Sequence, residues 1–138
     1  EFVENARPLT AGESADFEAT YLDSASHADV AVFTGSLPDV DGQGQPVDLF
    51  RRLLERTRRA ILDIRGPELH EALRQRPWLV KPNRGELAAT VGRPLKGDAD
   101  VLAAMKELNE RGAQWVLITS GGGDVLVTSR SSAWRRRR

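Results

Sequence analysis

The sequence predicts an α/β fold, a three-layer α/β/α arrangement around a mainly parallel sheet, and two observations carry that prediction. Short apolar runs rich in β-branched residues recur at 29–34, 60–64, 78–81 and 114–119, the pattern of strands buried on both faces. Between them lie segments whose apolar residues return at helical spacing. Strands alternating with helices imply βαβ crossovers, hence parallel neighbours covered by helices.

In chain order, Thr10 followed by Glu13 is a capping-box pattern, and Phe17, Tyr21 and Leu22 continue a helix over residues 11–26. Asp29–Thr34 is the first strand, and Gly35–Pro46, rich in Gly, Pro and Asp, is a long loop. Pro46 opens a second helix with Phe50, Leu53, Leu54 and Thr57 on one stripe. Strand Ala60–Ile64 and helix Pro67–Arg76 follow, then strand Trp78–Lys81, stopped by Pro82. A short helix begins after Asn83. A longer one spans Asp98–Arg111, with Val101, Leu102, Met105 and Leu108 inward and Gly112 as its stop. Gln114–Thr119 is a fourth strand, and Val125–Thr128 with Ala133–Arg135 reads as a hairpin.

Composition narrows the function classes. With 138 residues, 40% hydrophobic and 29% charged, the chain suits one globular domain. It contains no cysteine, which excludes disulfides and thiolate chemistry and fits a cytoplasmic protein. No apolar run approaches the roughly 20 residues that span a bilayer, and no signal-peptide pattern opens the chain. The zero net charge hides an asymmetry. Residues 130–138 hold five arginines and no acid, leaving 15 basic and 20 acidic side chains in residues 1–129. An acidic body argues against a specific nucleic-acid binder. The Arg135–Arg138 tail reads as a solvated end.

Ligands in open parallel sheets bind outside the carboxyl ends of the strands. Three segments fall there. Asn83-Arg84-Gly85-Glu86 is a capping box, and the same residues suit a phosphate and its magnesium: a helix start offers N–H donors, and a carboxylate beside it can hold metal-bound water. Lys81, two residues earlier, adds a point charge. Thr119-Ser120-Gly121-Gly122-Gly123-Asp124 lets backbone approach a ligand closely, or is a flexible turn between strands. Thr34-Gly35-Ser36-Leu37-Pro38 places a hydroxyl beside glycine, suited to a sugar or phosphate, or is a tight strand exit. Asp63 faces the site or caps the turn before Gly66. His27 and His70 read as surface histidines.

Taken together, TGSLP, ILDIRGPEL, LVKPNRGEL and WVLITSGGG resemble the middle of the ribokinase-like, PfkB-type carbohydrate kinases, in the branch of 1-phosphofructokinase and tagatose-6-phosphate kinase. The resemblance runs over nearly the whole chain, from about Phe2 to Trp134. It implies ATP and Mg²⁺ as cofactors and a sugar phosphate as partner, with γ-phosphoryl transfer to a sugar hydroxyl. On this likeness Lys81, Asn83 and Glu86 tend the magnesium–phosphate end of ATP, with Glu86 holding the metal through water. Thr119, Gly121, Gly122 and Gly123 lie beside the nucleotide, and Gly35 and Ser36 lie near the sugar.

The family's catalytic aspartate follows a Gly-Ala-Gly turn and opens a helix. Gly121–Asp124 matches in letters, but Val-Leu-Val-Thr follows it, so the general base is expected beyond Arg138 rather than at Asp124. The family's N-terminal portion, with its sugar pocket and the lid through which dimers form, has no counterpart here. Residues 1–138 therefore read as the central part of a kinase domain, inactive alone and belonging to a homodimeric protein. The alternative is a non-catalytic kinase-like module that binds a nucleotide or a protein.

Overall fold

The computed structural model describes residues 7–35, 40, 46–119 and 124–136. Its elements are α1 (Ala11–Ser26), β1 (Ala31–Thr34), α2 (Pro46–Glu55), β2 (Ala60–Asp63), α3 (Pro67–Arg74), β3 (Leu79–Val80), α4 (Arg84–Val91), α5 (Asp98–Arg111), β4 (Trp115–Thr119), β5 (Val125–Ser129) and β6 (Ala133–Arg136). The strands form one sheet in the order β1-β2-β3-β4-β5-β6. β1 to β4 are parallel, and β5 and β6 add antiparallel. The α/β class and the mainly parallel sheet are those the sequence predicts.

Coverage of the sheet is one-sided. Ala60, Leu62, Val80, Val116, Ile118 and Leu126 share one core with Phe50, Leu54, Leu69, Leu73, Leu87, Met105 and Leu108 from α2, α3, α4 and α5. Alternate strand residues, Val32, Ile61, Leu79, Trp115, Leu117 and Val127, remain partly or largely exposed, with Val32 at 64%. The cause is topological. Each parallel strand is added on the same side of the last, so crossovers of one hand lay their helices on one face. The described residues thus supply two of the three layers.

Local sequence explains the boundaries. Thr10 and Glu13 form the predicted capping box on α1. Yet α1 buries only Ser14 of its own residues, and Phe17 is 45% exposed. β3 is shorter than predicted, because only Leu79 and Val80 pair on both sides, although Lys81 still donates its N–H to Leu62 O at 2.8 Å.

Gly112 ends α5 at φ 143°, and a Cβ there would lie 1.9 Å from Leu73 O, so glycine is what lets the ends of α3 and α5 approach. Fully buried Asn109 donates to Ala113 O at 3.0 Å and accepts from Thr128 Oγ1 at 2.7 Å, tying α5 to the connection before β4 and to β5. The predicted hairpin forms, and its second strand runs one residue further than Arg135: Arg136 pairs with Val125, and all four residues of β6 stay exposed. No described helix is long and apolar enough to cross a membrane.

Candidate functional site

Because β1 to β4 are parallel, their carboxyl ends open on one rim. Thr34 lies opposite Asp63 in the register, and Lys81 follows β3 beside it. Strand alternation turns Asp63 and Lys81 to the same face as Ile61 and Leu79. There Lys81 Nζ meets Asp63 Oδ2 at 2.9 Å, with the side chains 39% and 41% exposed. A half-exposed ion pair of this kind contributes little stability, about 0–1 kcal/mol. Its ammonium is therefore free to exchange partners at low cost.

One residue on, Pro82 closes the ladder and Asn83 turns the chain into α4. Asn83 has extended backbone, φ −78° and ψ 172°. Its Oδ1 accepts from the Glu86 N–H at 2.9 Å, while Glu86 Oε2 accepts from the Asn83 N–H at 2.8 Å. A Cβ at Gly85 would sit 3.3 Å from Asn83 Oδ1, a tight contact that the capping side chain would have to ease by a few tenths of an ångström. Arg84 is turned away, its Nη2 donating to Leu95 O at 2.9 Å. What remains at this helix start is chemically specific. The backbone N–H groups of Arg84 and Gly85 and the second oxygen of Glu86 take no partner among the described residues.

That set fits the phosphate end of a nucleotide. Two unpaired N–H donors at a helix start favour an anion, and Lys81 adds a positive charge within the same rim. No cluster of three acidic or histidine side chains that could hold a metal alone occurs among the described residues. Magnesium needs no such cage: it binds through one or two carboxylates, waters and the phosphates themselves. Glu86, with one oxygen uncommitted, suits that mode.

The other predicted residues are less complete. Gly35 adopts φ 85° and donates its N–H to Asp63 O at 3.3 Å, so the chain leaves β1 directly above Asp63. Ser36, Gly121, Gly122 and Gly123 lie outside the described residues. Thr119 ends β4, exposed and opposite Val125. Asp124 heads β5, a strand, and is ion-paired to Arg135, which also holds Asp98 at 2.9 Å. Asp63, left open between two roles by its sequence, is ion-paired and does not cap α3, whose N-cap Gly66 has no side-chain bond. The Asp63–Lys81 pair went unread because strand register, not spacing, brings the two together.

Residues 3–137 match the pfkB family of carbohydrate kinases. A 1-phosphofructokinase of Escherichia coli K12 is 35% identical over 123 residues, 87% of this chain and 39% of that protein. A D-tagatose-1-phosphate kinase of Klebsiella oxytoca is 33% identical over 114 residues, 83% of this chain and 38% of that protein. The crystal structure of phosphofructokinase-2 from Escherichia coli with fructose-6-phosphate superimposes with TM-score 0.83 at 30% identity, over 99% of this chain and 45% of that one. The chain thus spans about two-fifths of the length of these relatives. Matched from residue 3 to residue 137, it belongs to the pfkB family of carbohydrate kinases.

Proposed function

We propose that this chain contributes the magnesium–phosphate wall of an ATP-dependent kinase that phosphorylates a hydroxyl of a sugar phosphate. The carrying observation is the rim at the end of β3. Lys81, the free N–H groups of Arg84 and Gly85, and the uncommitted oxygen of Glu86 meet within one short segment. Lys81 would exchange Asp63 for phosphate, the helix start would hold phosphate oxygens, and Glu86 would orient a metal-bound water. Bound magnesium supplies charge neutralisation on the phosphates. Gly35 and Ser36 would border the sugar, and Thr119 with Gly121–Gly123 the nucleotide. A cytoplasmic location and a homodimer complete the reading; one solved relative, the inhibited form of phosphofructokinase-2, is tetrameric.

Residues 1–138 alone are expected to bind without turning over. The only Gly-x-Gly-Asp in the sequence, Gly121–Asp124, leads into β5, so no helix start stands behind that carboxylate. Loss of a general base alone typically lowers rate by about 10²–10⁴.

Titration calorimetry with MgATP tests the reading. Saturable binding weakened at least about tenfold by Asn83→Ala combined with Glu86→Ala supports it, a loss of about 1.4 kcal/mol. Binding indifferent to both changes, or no binding by the unaltered chain, contradicts it.

A further inference from the structure

We propose that Arg84 is a positioning residue, whose side chain braces the start of α4 against the α4–α5 connection and so orients the N–H groups that meet phosphate. This role rests on the phosphate site proposed at the end of β3. An arginine between Asn83 and Glu86 has the charge to touch phosphate itself, but its guanidinium is turned elsewhere. Nη2 donates to Leu95 O at 2.9 Å, eleven residues on, across the connection that leads into α5. The backbone N–H of Arg84 and that of Gly85 are left to the rim.

A brace is needed there because α4 is short. Its eight residues fall below the roughly 12–15 at which a helix is even marginal alone in water. Tertiary anchors must therefore hold it. Its far end is tied to α5, where Arg111 Nη1 donates to Thr90 O at 3.2 Å and Arg93 Nη1 meets Glu107 Oε2 at 2.7 Å. At its start the side chains of Asn83 and Glu86 bond each other's backbone, which shapes the turn without fixing it to anything else. Among the described residues, Arg84 makes the polar side-chain bond that leaves this turn.

The acceptor is itself held. Leu95 is partly buried and packs its side chain against the main core, which gives its carbonyl a set place. The brace thus runs from the core through Leu95 to the guanidinium, and on to the residue whose N–H opens the helix. Because the acceptor is a neutral carbonyl, the brace acts by geometry, and loosening Leu95 would undo it without altering any charge.

Two measurements on the full chain test this role. Without nucleotide, Arg84→Ala should speed amide exchange at least about tenfold at Glu86 and Leu87, whose N–H groups bond to Asn83, and leave the middle of α5 unchanged. With MgATP at high salt, where a bare charge effect is screened, Arg84→Ala should weaken binding at least about tenfold. Leu95→Ala should weaken it at least about threefold, and the double variant no more than Arg84→Ala alone. Leu95→Ala carries both measurements if Arg84→Ala does not fold. Unchanged exchange overturns the proposal whatever the nucleotide does. So does MgATP affinity indifferent to Arg84→Ala yet still weakened by Asn83→Ala with Glu86→Ala, a result that leaves the phosphate site standing. Additive losses from Arg84→Ala and Leu95→Ala would make Arg84 a direct phosphate contact and also overturn it. No MgATP binding by the unaltered chain removes the phosphate site itself, and this role with it.

Discussion

The chain builds the same capping box twice, and only one copy is a candidate site. On α1, Thr10 Oγ1 accepts from the Glu13 N–H at 3.2 Å, and Glu13 Oε2 accepts from the Thr10 N–H at 2.9 Å. On α4, Asn83 and Glu86 make the same two bonds at 2.9 and 2.8 Å. The difference lies in what else each carboxylate does. Both oxygens of Glu13 are taken, by Arg7 and by the Thr10 hydroxyl, and the Arg7 hydrogen bond, with those from Thr10, lowers its pKa from 4.5 to about 2. Glu86 keeps an oxygen free among the described residues, and its cap Asn83 lies two residues after Lys81 at the carboxyl end of β3. A capping box is therefore a local device, and its place on the sheet decides whether it can also serve a ligand.

The largest effect comes from breaking the frame that carries both helices. Gly112→Ala would put a methyl group 1.9 Å from Leu73 O, at a φ that L residues avoid. A loss of more than about 4 kcal/mol is expected by urea denaturation, enough to erase any difference between the caps. Asn109→Leu comes next. It leaves the Thr128 hydroxyl without its acceptor and Ala113 O without its side-chain donor, both in the core, at about 2–3 kcal/mol.

Thr10→Ala and Asn83→Ala sharpen the comparison, because as caps they are equivalent. Each should cost about 1 kcal/mol in denaturant unfolding, yet only Asn83→Ala should also weaken MgATP. The smallest effect is in pH. A carboxyl whose folded pKa is depressed stabilises the fold above its ordinary value and loses that contribution as pH falls toward the folded one. The Glu13 contribution should thus fade between pH 4.5 and about 2. Glu13→Gln should flatten the fall of thermal midpoint over that window without levelling it, since Glu107 is also held low, by Arg93 first and by Arg111.

How far the sequence could be read follows from which forces are local. The α1 and α5 boundaries were legible because Thr10, Glu13 and Gly112 act within a turn of the helix they bound. The α4 cap was legible for the same reason, down to the Asn83–Glu86 pairing. The open face was not: alternation in Val32, Ile61 and Leu79 looks the same whether a second layer covers it or not. The Asp63–Lys81 pair and the clasp of Arg135 on Asp98 and Asp124 were hidden as well, since each depends on which strands become neighbours. In the nucleotide rim the motif was visible, while the turning-away of Arg84 toward Leu95 emerged only from packing.

The most direct test sets the two glutamates against each other in one titration. Glu86→Gln and Glu13→Gln are compared with the unaltered chain for MgATP binding by calorimetry. Glu86→Gln should weaken binding at least about tenfold, while Glu13→Gln leaves it unchanged. Equal effects of the two substitutions, or none from Glu86→Gln, would show that the α4 box is only a cap.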